Sequence, residues 1–119
     1  MKKTILIVDD ESTIRWILRV TLEGRDFSVL EAASGEEGVS VVSQVKPDLV
    51  IMDYKMPDMN GWSATAKIKL IYPDIIVIGH TGYANDQNIQ EGLDSGCTAI
   101  LHKPVDLDEW EQTIAKYLG

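Results

Sequence analysis

The chain has 119 residues, 11 of them basic and 19 acidic, for a net charge of −8. That length suits one domain around one core, spanning residues 1–119, and the acidic balance argues against nucleic acid or an anionic membrane surface as a direct partner. No apolar run nears the about 20 residues of a membrane-spanning helix, and Asp9-Asp10 cut the first run too short for a signal peptide.

In chain order, the first strand is predicted over Thr4–Val8, as the solid apolar run Ile5-Leu6-Ile7-Val8. A helix follows, with Ile14, Ile17, Leu18, Thr21 and Leu22 at i, i+3, i+4 spacing and Ser12 or Thr13 as its cap. Trp16 falls nearly opposite that stripe, beside Val20, and marks a candidate docking patch. A mixed strand over Ser28–Ala32 precedes a helix from Gly35 to Ser43. The third strand, Leu49–Met52, is again solid, and its helix runs from Trp62 to Ile71, stopped near Pro73. Ile75–Ile78 is the fourth strand. The helix after it, Asn85 to Ser95, carries Asn85, Asn88 and Gly92 and has few apolar anchors, among them Ile89 and Leu93. The single cysteine, Cys97, precludes an intrachain disulfide and reads as a partly buried loop residue, which predicts a cytoplasmic setting. A mixed strand over Thr98–Leu101 and a helix over Leu107–Leu118, striped by Leu107, Trp110, Ile114 and Leu118, complete the chain.

Strands alternating with helices predict a parallel sheet, an α/β doubly wound fold. Solid apolar strands are buried on both faces and mixed ones sit at edges. Strands 1, 3 and 4 therefore lie inside, strands 2 and 5 outside, as in the order 2-1-3-4-5.

In such a sheet, ligands bind beyond the carboxyl ends of the strands, where the order reverses. Asp9 and Asp10 end the first strand there and Asp53 ends the third, while the fourth runs into Thr81 and the fifth into Lys103. Clustered carboxylates repel and need a compensating cation. An oxygen-only donor set suits Mg²⁺ (or Mn²⁺) better than Zn²⁺. A carboxylate, a hard cation, an ammonium and a hydroxyl together suit phosphoryl transfer onto the carboxylate. His80 and His102 read only as strand-end neighbours of the site. Asn60-Gly61 ordinarily makes a hairpin turn, yet a helical pattern follows it, so the loop serves another purpose.

Asp9-Asp10, Asp53 with the loop Met56-Pro57-x-Met59-Asn60-Gly61, Thr81-Gly82 and Lys103-Pro104 together resemble response-regulator receiver domains of two-component signalling, of the chemotaxis or sporulation single-domain type. The resemblance covers the whole chain and implies a five-stranded, flavodoxin-like (βα)5 fold. It implies that Asp53 is the phosphoacceptor, that Asp10, Asp53 and the Lys55 backbone carbonyl bind Mg²⁺ directly and that Asp9 binds it through water. Thr81 and Lys103 are then the catalytic contacts to the phosphoryl oxygens, and Lys103-Pro104 carries a cis peptide bond. Lys55, Gly82 and Tyr83 flank the path of water to the phosphoryl group, with Lys55 and Tyr83 shielding it. The implied partners are a histidine kinase or histidine phosphotransfer protein upstream and an unknown downstream protein or fused output domain. The domain is then a phosphoacceptor that gains and loses its own phosphoryl group rather than a turnover enzyme. One departure concerns the switch formed with Thr81. Relatives carry an aromatic residue or histidine three before the lysine, and here that position is Ile100.

An aspartyl phosphatase of the haloacid dehalogenase type is the rival, but it carries Asp-x-Asp after the first strand, where this chain has adjacent Asp9-Asp10. A flavin module needs a Ser/Thr/Gly-rich phosphate loop where Asp9-Asp10-Glu11 stand, and these would repel the phosphate. A receiver fragment of a larger regulator or hybrid kinase fits the same residues.

Overall fold

The computed structural model describes residues 2–119. Five strands alternate with five helices: β1 Thr4–Val8, α1 Ser12–Glu23, β2 Ser28–Ala32, α2 Gly35–Val45, β3 Leu49–Asp53, α3 Gly61–Ile71, β4 Ile76–Thr81, α4 Asp86–Ser95, β5 Ala99–His102 and α5 Leu107–Leu118. All pairings are parallel and the sheet order is β2-β1-β3-β4-β5, as the composition of the strands predicts.

Alternation along each strand divides the core in two. Leu6, Val8, Val50, Met52 and Val77 face one way and pack under Val42 of α2 and Ala64 and Ile68 of α3. Ile5, Ile7, Leu49, Ile51 and Ile78 face the other way and pack under Leu18 and Leu22 of α1 and Trp110 and Ile114 of α5. With both faces covered, β1 and β3 have no room for polar side chains until their carboxyl ends, which is why the carboxylates collect on one rim.

Several boundaries differ from expectation. β3 extends to Asp53 and β4 runs from Ile76 to Thr81, past Ile78. β5 starts at Ala99 and ends at His102, α2 continues to Val45, α3 begins at Gly61, and Asn85 is the cap of α4 rather than its first residue. Ser12 and Thr13 do not cap α1. Glu11 occupies that position without a side-chain cap, and its own N–H donates to the Asp9 carboxylate at 2.8 Å. In α4 the inward residues are Asn88 and Gly92, while Leu93 is exposed. Leu107 of the α5 stripe is exposed as well, and Cys97 is buried rather than partly so.

Asn60-Gly61 starts a helix. The Asn60 side chain caps α3 by accepting the Ser63 N–H at 2.9 Å, and the Gly61 N–H donates to the Tyr54 carbonyl at 2.6 Å. A Cβ at Gly61 would run into the Asp53 carbonyl, so only glycine lets the loop return this close to the strand end. Among the described residues, no helix is long and apolar enough to cross a membrane.

Candidate functional site

Asp9, Asp53, Thr81 and Lys103 converge at the carboxyl ends of β1, β3, β4 and β5. The Asp9 N–H continues the β1–β2 pairing by donating to the Ala32 carbonyl at 3.1 Å. Its carboxylate is thereby fixed in the core, with Oδ1 on the Glu11 N–H. Asp53 is also buried, and its Oδ1 accepts a hydrogen bond from Lys103 Nζ at 2.6 Å. The Lys103 N–H donates to the Thr81 carbonyl at 2.9 Å, which brings the lysine alongside the end of β4, and the Lys103-Pro104 bond is cis. Asp10 is exposed and lines, with Asp53, Lys55, Gly82, Tyr83 and Lys103, an open cleft of about 350 Å³.

The electrostatics follow from this crowding. Burial pushes Asp9 up to about 7 against the pull of the Glu11 N–H, and the Asp53 charge adds to the rise. Burial raises Asp53 too, while the Lys103 hydrogen bond and charge pull it back. Removing carboxylates from water without full compensation is what raises both.

Thr81 is buried, and its hydroxyl oxygen accepts the Tyr83 N–H at 3.0 Å. With the Asn88 amide oriented to match donors to acceptors, its nitrogen donates to Thr81 Oγ1 at 3.1 Å, and Trp62 Nε1 donates to the Asn88 backbone carbonyl at 3.1 Å and to its amide oxygen at 3.3 Å. Lys55 Nζ donates to the Tyr83 hydroxyl at 3.1 Å, so the two side chains flanking the cleft touch each other. Ile100 is half-buried and stands apart from these polar groups, with its Cδ1 toward Gly92.

Three contributors escape a reading of the sequence. His80 is not a strand-end residue like the exposed His102. It lies within β4, is 2% exposed, and pairs in register with Asp53. Burial lowers its pKa to about 3, with the Lys103 charge adding to the effect, so the imidazole is neutral. Asn88 links Thr81 to Trp62, as described. Asp58 caps α2 from the β3–α3 loop, its two oxygens accepting from Gly35 N at 3.2 Å and Glu36 N at 2.8 Å. His80 alone had a visible sign, its place immediately before Thr81 at the binding edge.

The family model described as the response regulator receiver domain matches residues 5–115. The chain belongs to this family. The receiver domain is 36% identical over 118 residues to sporulation initiation phosphotransferase F of Bacillus subtilis, covering 99% of this chain and 95% of that protein. It is 34% identical to the transcriptional regulatory protein ZraR of Escherichia coli over 97% of this chain, but spans only 26% of that protein's length. A CheY-like receiver domain protein from Methanospirillum hungatei superposes with a TM-score of 0.94 at 32% identity, covering 98% of this chain and 93% of that one. The receiver domain is therefore a phosphoacceptor module of two-component signalling, not a metabolic enzyme, and the aspartyl phosphatase and flavin readings fall away.

Proposed function

We propose that Asp53 is the phosphoacceptor and that the receiver takes its phosphoryl group from a phosphohistidine on a histidine kinase or phosphotransfer protein. The observation that carries this reading is the Lys103–Asp53 pair at 2.6 Å on the floor of an open cleft. A buried carboxylate held by one ammonium, on a residue that lines the cleft, is a nucleophile placed in advance of its substrate.

In the transfer step the free Asp53 oxygen attacks phosphorus and forms an O–P bond. The donor P–N bond breaks, and its electron pair returns to the donor imidazole nitrogen. Lys103 moves from the carboxylate to an equatorial phosphoryl oxygen, and the Thr81 hydroxyl donates to another. The carboxylates of Asp10 and Asp53, which line the cleft, offer oxygen donors only, a set that fits Mg²⁺ (or Mn²⁺). Asp10, Asp53 and the Lys55 carbonyl would hold the ion directly and Asp9 through water. When bound, the ion neutralises the charge that builds on the transferring phosphoryl group.

Phosphorylation would signal by shifting conformation toward contact with a downstream protein or output domain, with Thr81 as trigger. A chain with one buried thiol and an acidic surface suits the cytoplasm, where such donors reside. Intact mass after incubation with acetyl phosphate and Mg²⁺ tests the reading. One phosphoryl mass is expected on the wild type and none on Asp53→Asn or in excess chelator. Labelling of Asp53→Asn at the wild-type rate would overturn it.

A further inference from the structure

Beside the cleft, between the ends of β1 and β4, two buried polar atoms stand near each other unsatisfied. Asp9 Oδ2 and His80 Nε2 stand 3.6 Å apart, and among the described residues they are the only buried side-chain polar atoms without a hydrogen-bond partner. A buried polar atom left without a partner is costly, and two side by side indicate that something belongs between or beside them. One donor atom from each of Asp9, Asp53 and His80 lies within 4.8 Å of the other two.

The spacing discriminates between ions. At bond lengths of about 2.0–2.1 Å, neighbouring ligands sit about 3.4 Å apart around a tetrahedral ion and about 3.0 Å apart around an octahedral one. The Asp9–His80 separation of 3.6 Å is close to the tetrahedral edge. Asp53 completes the set by closing at most roughly 1.4 Å, within the reach of a side-chain rotation. The chemistry agrees, since imidazole nitrogen suits Zn²⁺, whereas Mg²⁺ prefers oxygen and keeps its water. The His80 ring packs T-shaped against the Trp110 ring, with centroids 5.2 Å apart, which restrains its orientation. A cavity of about 330 Å³ bordered by Glu11, His80, Lys103 and Trp110 reaches the His80 side chain.

We propose that Asp9, Asp53 and His80 form a second, nitrogen-containing ligand set that takes a tetrahedral divalent ion of the Zn²⁺ class. Its occupation opposes phosphoryl acceptance, because the ion drawn to His80 takes up the Asp9 and Asp53 carboxylates that the Mg²⁺ mode needs. The site thus holds two competing modes: an oxygen-only Mg²⁺ mode, competent for transfer, and a Zn²⁺ mode on His80, blocked for it. This inference rests on the assignment of Asp53 as the nucleophile.

The two histidines of the chain supply the test. Long-range 1H–15N spectra of the imidazoles in the 15N-labelled protein are recorded during titration with Zn²⁺ and, separately, with Mg²⁺. Zn²⁺ is expected to shift a ring nitrogen of His80 and leave the exposed His102 as internal reference, whereas Mg²⁺ leaves the coordination of both rings unchanged. Competition with a chromophoric chelator is expected to show the Zn²⁺-to-Mg²⁺ affinity ratio falling at least about tenfold in His80→Gln. Zn²⁺ is also expected to slow acetyl phosphate labelling of the wild type in the presence of Mg²⁺. The wild-type spectra decide the matter even if the buried variant folds poorly. Zn²⁺ shifts confined to His102, or labelling indifferent to Zn²⁺, would overturn the inference while Asp53-dependent labelling with Mg²⁺ still stood. Failure of both ions to bind, together with labelling of Asp53→Asn, would remove the nucleophile assignment as well.

Discussion

Replacing Asp9 by Asn should stabilise the metal-free receiver, and the gain should depend on pH. Asp9 is fully buried, and its pKa rises from 3.8 to about 7, mainly through desolvation. A folded-state pKa above the unfolded value means that stability is fully present below about pH 4 and is lost as the pH rises through 7. Three units at ~1.4 kcal/mol each set a ceiling of about 4 kcal/mol on the cost of ionised Asp9 at pH 8. Solvent in the adjoining cleft screens part of this, so a gain on the order of 2 kcal/mol is expected. That corresponds to roughly 8 °C in Tm for a chain of this size. Asn keeps an oxygen for the Glu11 N–H, and its amide can donate to His80 Nε2, so no new orphan is created. Urea unfolding of both proteins in chelator, at pH 8 and near pH 4.5, measures the difference. The gap should be largest at pH 8, shrink toward acid, and narrow at pH 8 when saturating Mg²⁺ compensates the wild-type carboxylates. A variant no more stable than wild type at pH 8, or a gap independent of pH, would refute the reasoning.

Three further outcomes follow from the same rim. Lys55 and Tyr83 meet at 3.1 Å across the cleft, so Lys55→Ala and Tyr83→Ala should each speed loss of the phosphoryl group severalfold, followed by intact mass after donor removal; unchanged decay in both would exclude shielding. Trp16, Ile17 and Val20 leave an apolar patch on α1, with Trp16 64% exposed, so Trp16→Ala should slow transfer from a protein donor and spare transfer from acetyl phosphate; equal slowing would exclude docking there. Beryllofluoride should alter amide exchange mainly between Gly82 and Gly96, where α4 is anchored by little apolar burial; changes confined to the loop after Asp53 would contradict this.

The sheet was legible because β1 and β3 are continuous apolar runs, which only a strand covered on both faces requires. The rim residues were legible because their positions follow from the strand ends. The end of β4 was not, since Gly79 and His80 interrupt the apolar pattern, and their reasons lie in other elements. Gly79 makes room for Trp62, where a Cβ would come 2.5 Å from the ring, and His80 faces Asp9 rather than solvent. The start of α1 is illegible for a similar reason: the helix begins at Ser12 behind Glu11, whose N–H is held by a carboxylate from the preceding strand end. Periodicity alone makes Leu93 an anchor of α4, yet it is exposed. The inward face of α4 is instead Asn88 and Gly92, shaped to accept an indole from a helix distant in sequence.

That indole bears on how the site communicates with the rest of the domain. Trp62 is buried between Gly79 of β4 and Gly92 of α4, where a Cβ on the latter would approach both the ring and Ile100. The aromatic bulk beside Thr81 therefore comes from α3, and β5 contributes only the branched Ile100, which has few rotamers to exchange. Trp62 cannot swing without emptying the space between strand and helix, which close packing penalises. The linkage is polar: the Asn88 amide nitrogen donates to Thr81 Oγ1, while the Asn88 backbone carbonyl and amide oxygen share the Trp62 Nε1–H. A Thr81 hydroxyl drawn toward a phosphoryl group on Asp53 gives up or lengthens its bond to Asn88, which lies in the first turn of α4. The indole stays in place as the fixed point against which that turn shifts. Coupling of this kind moves a helix end rather than a core side chain, and with so few contacts changing, the shift in population it produces is partial.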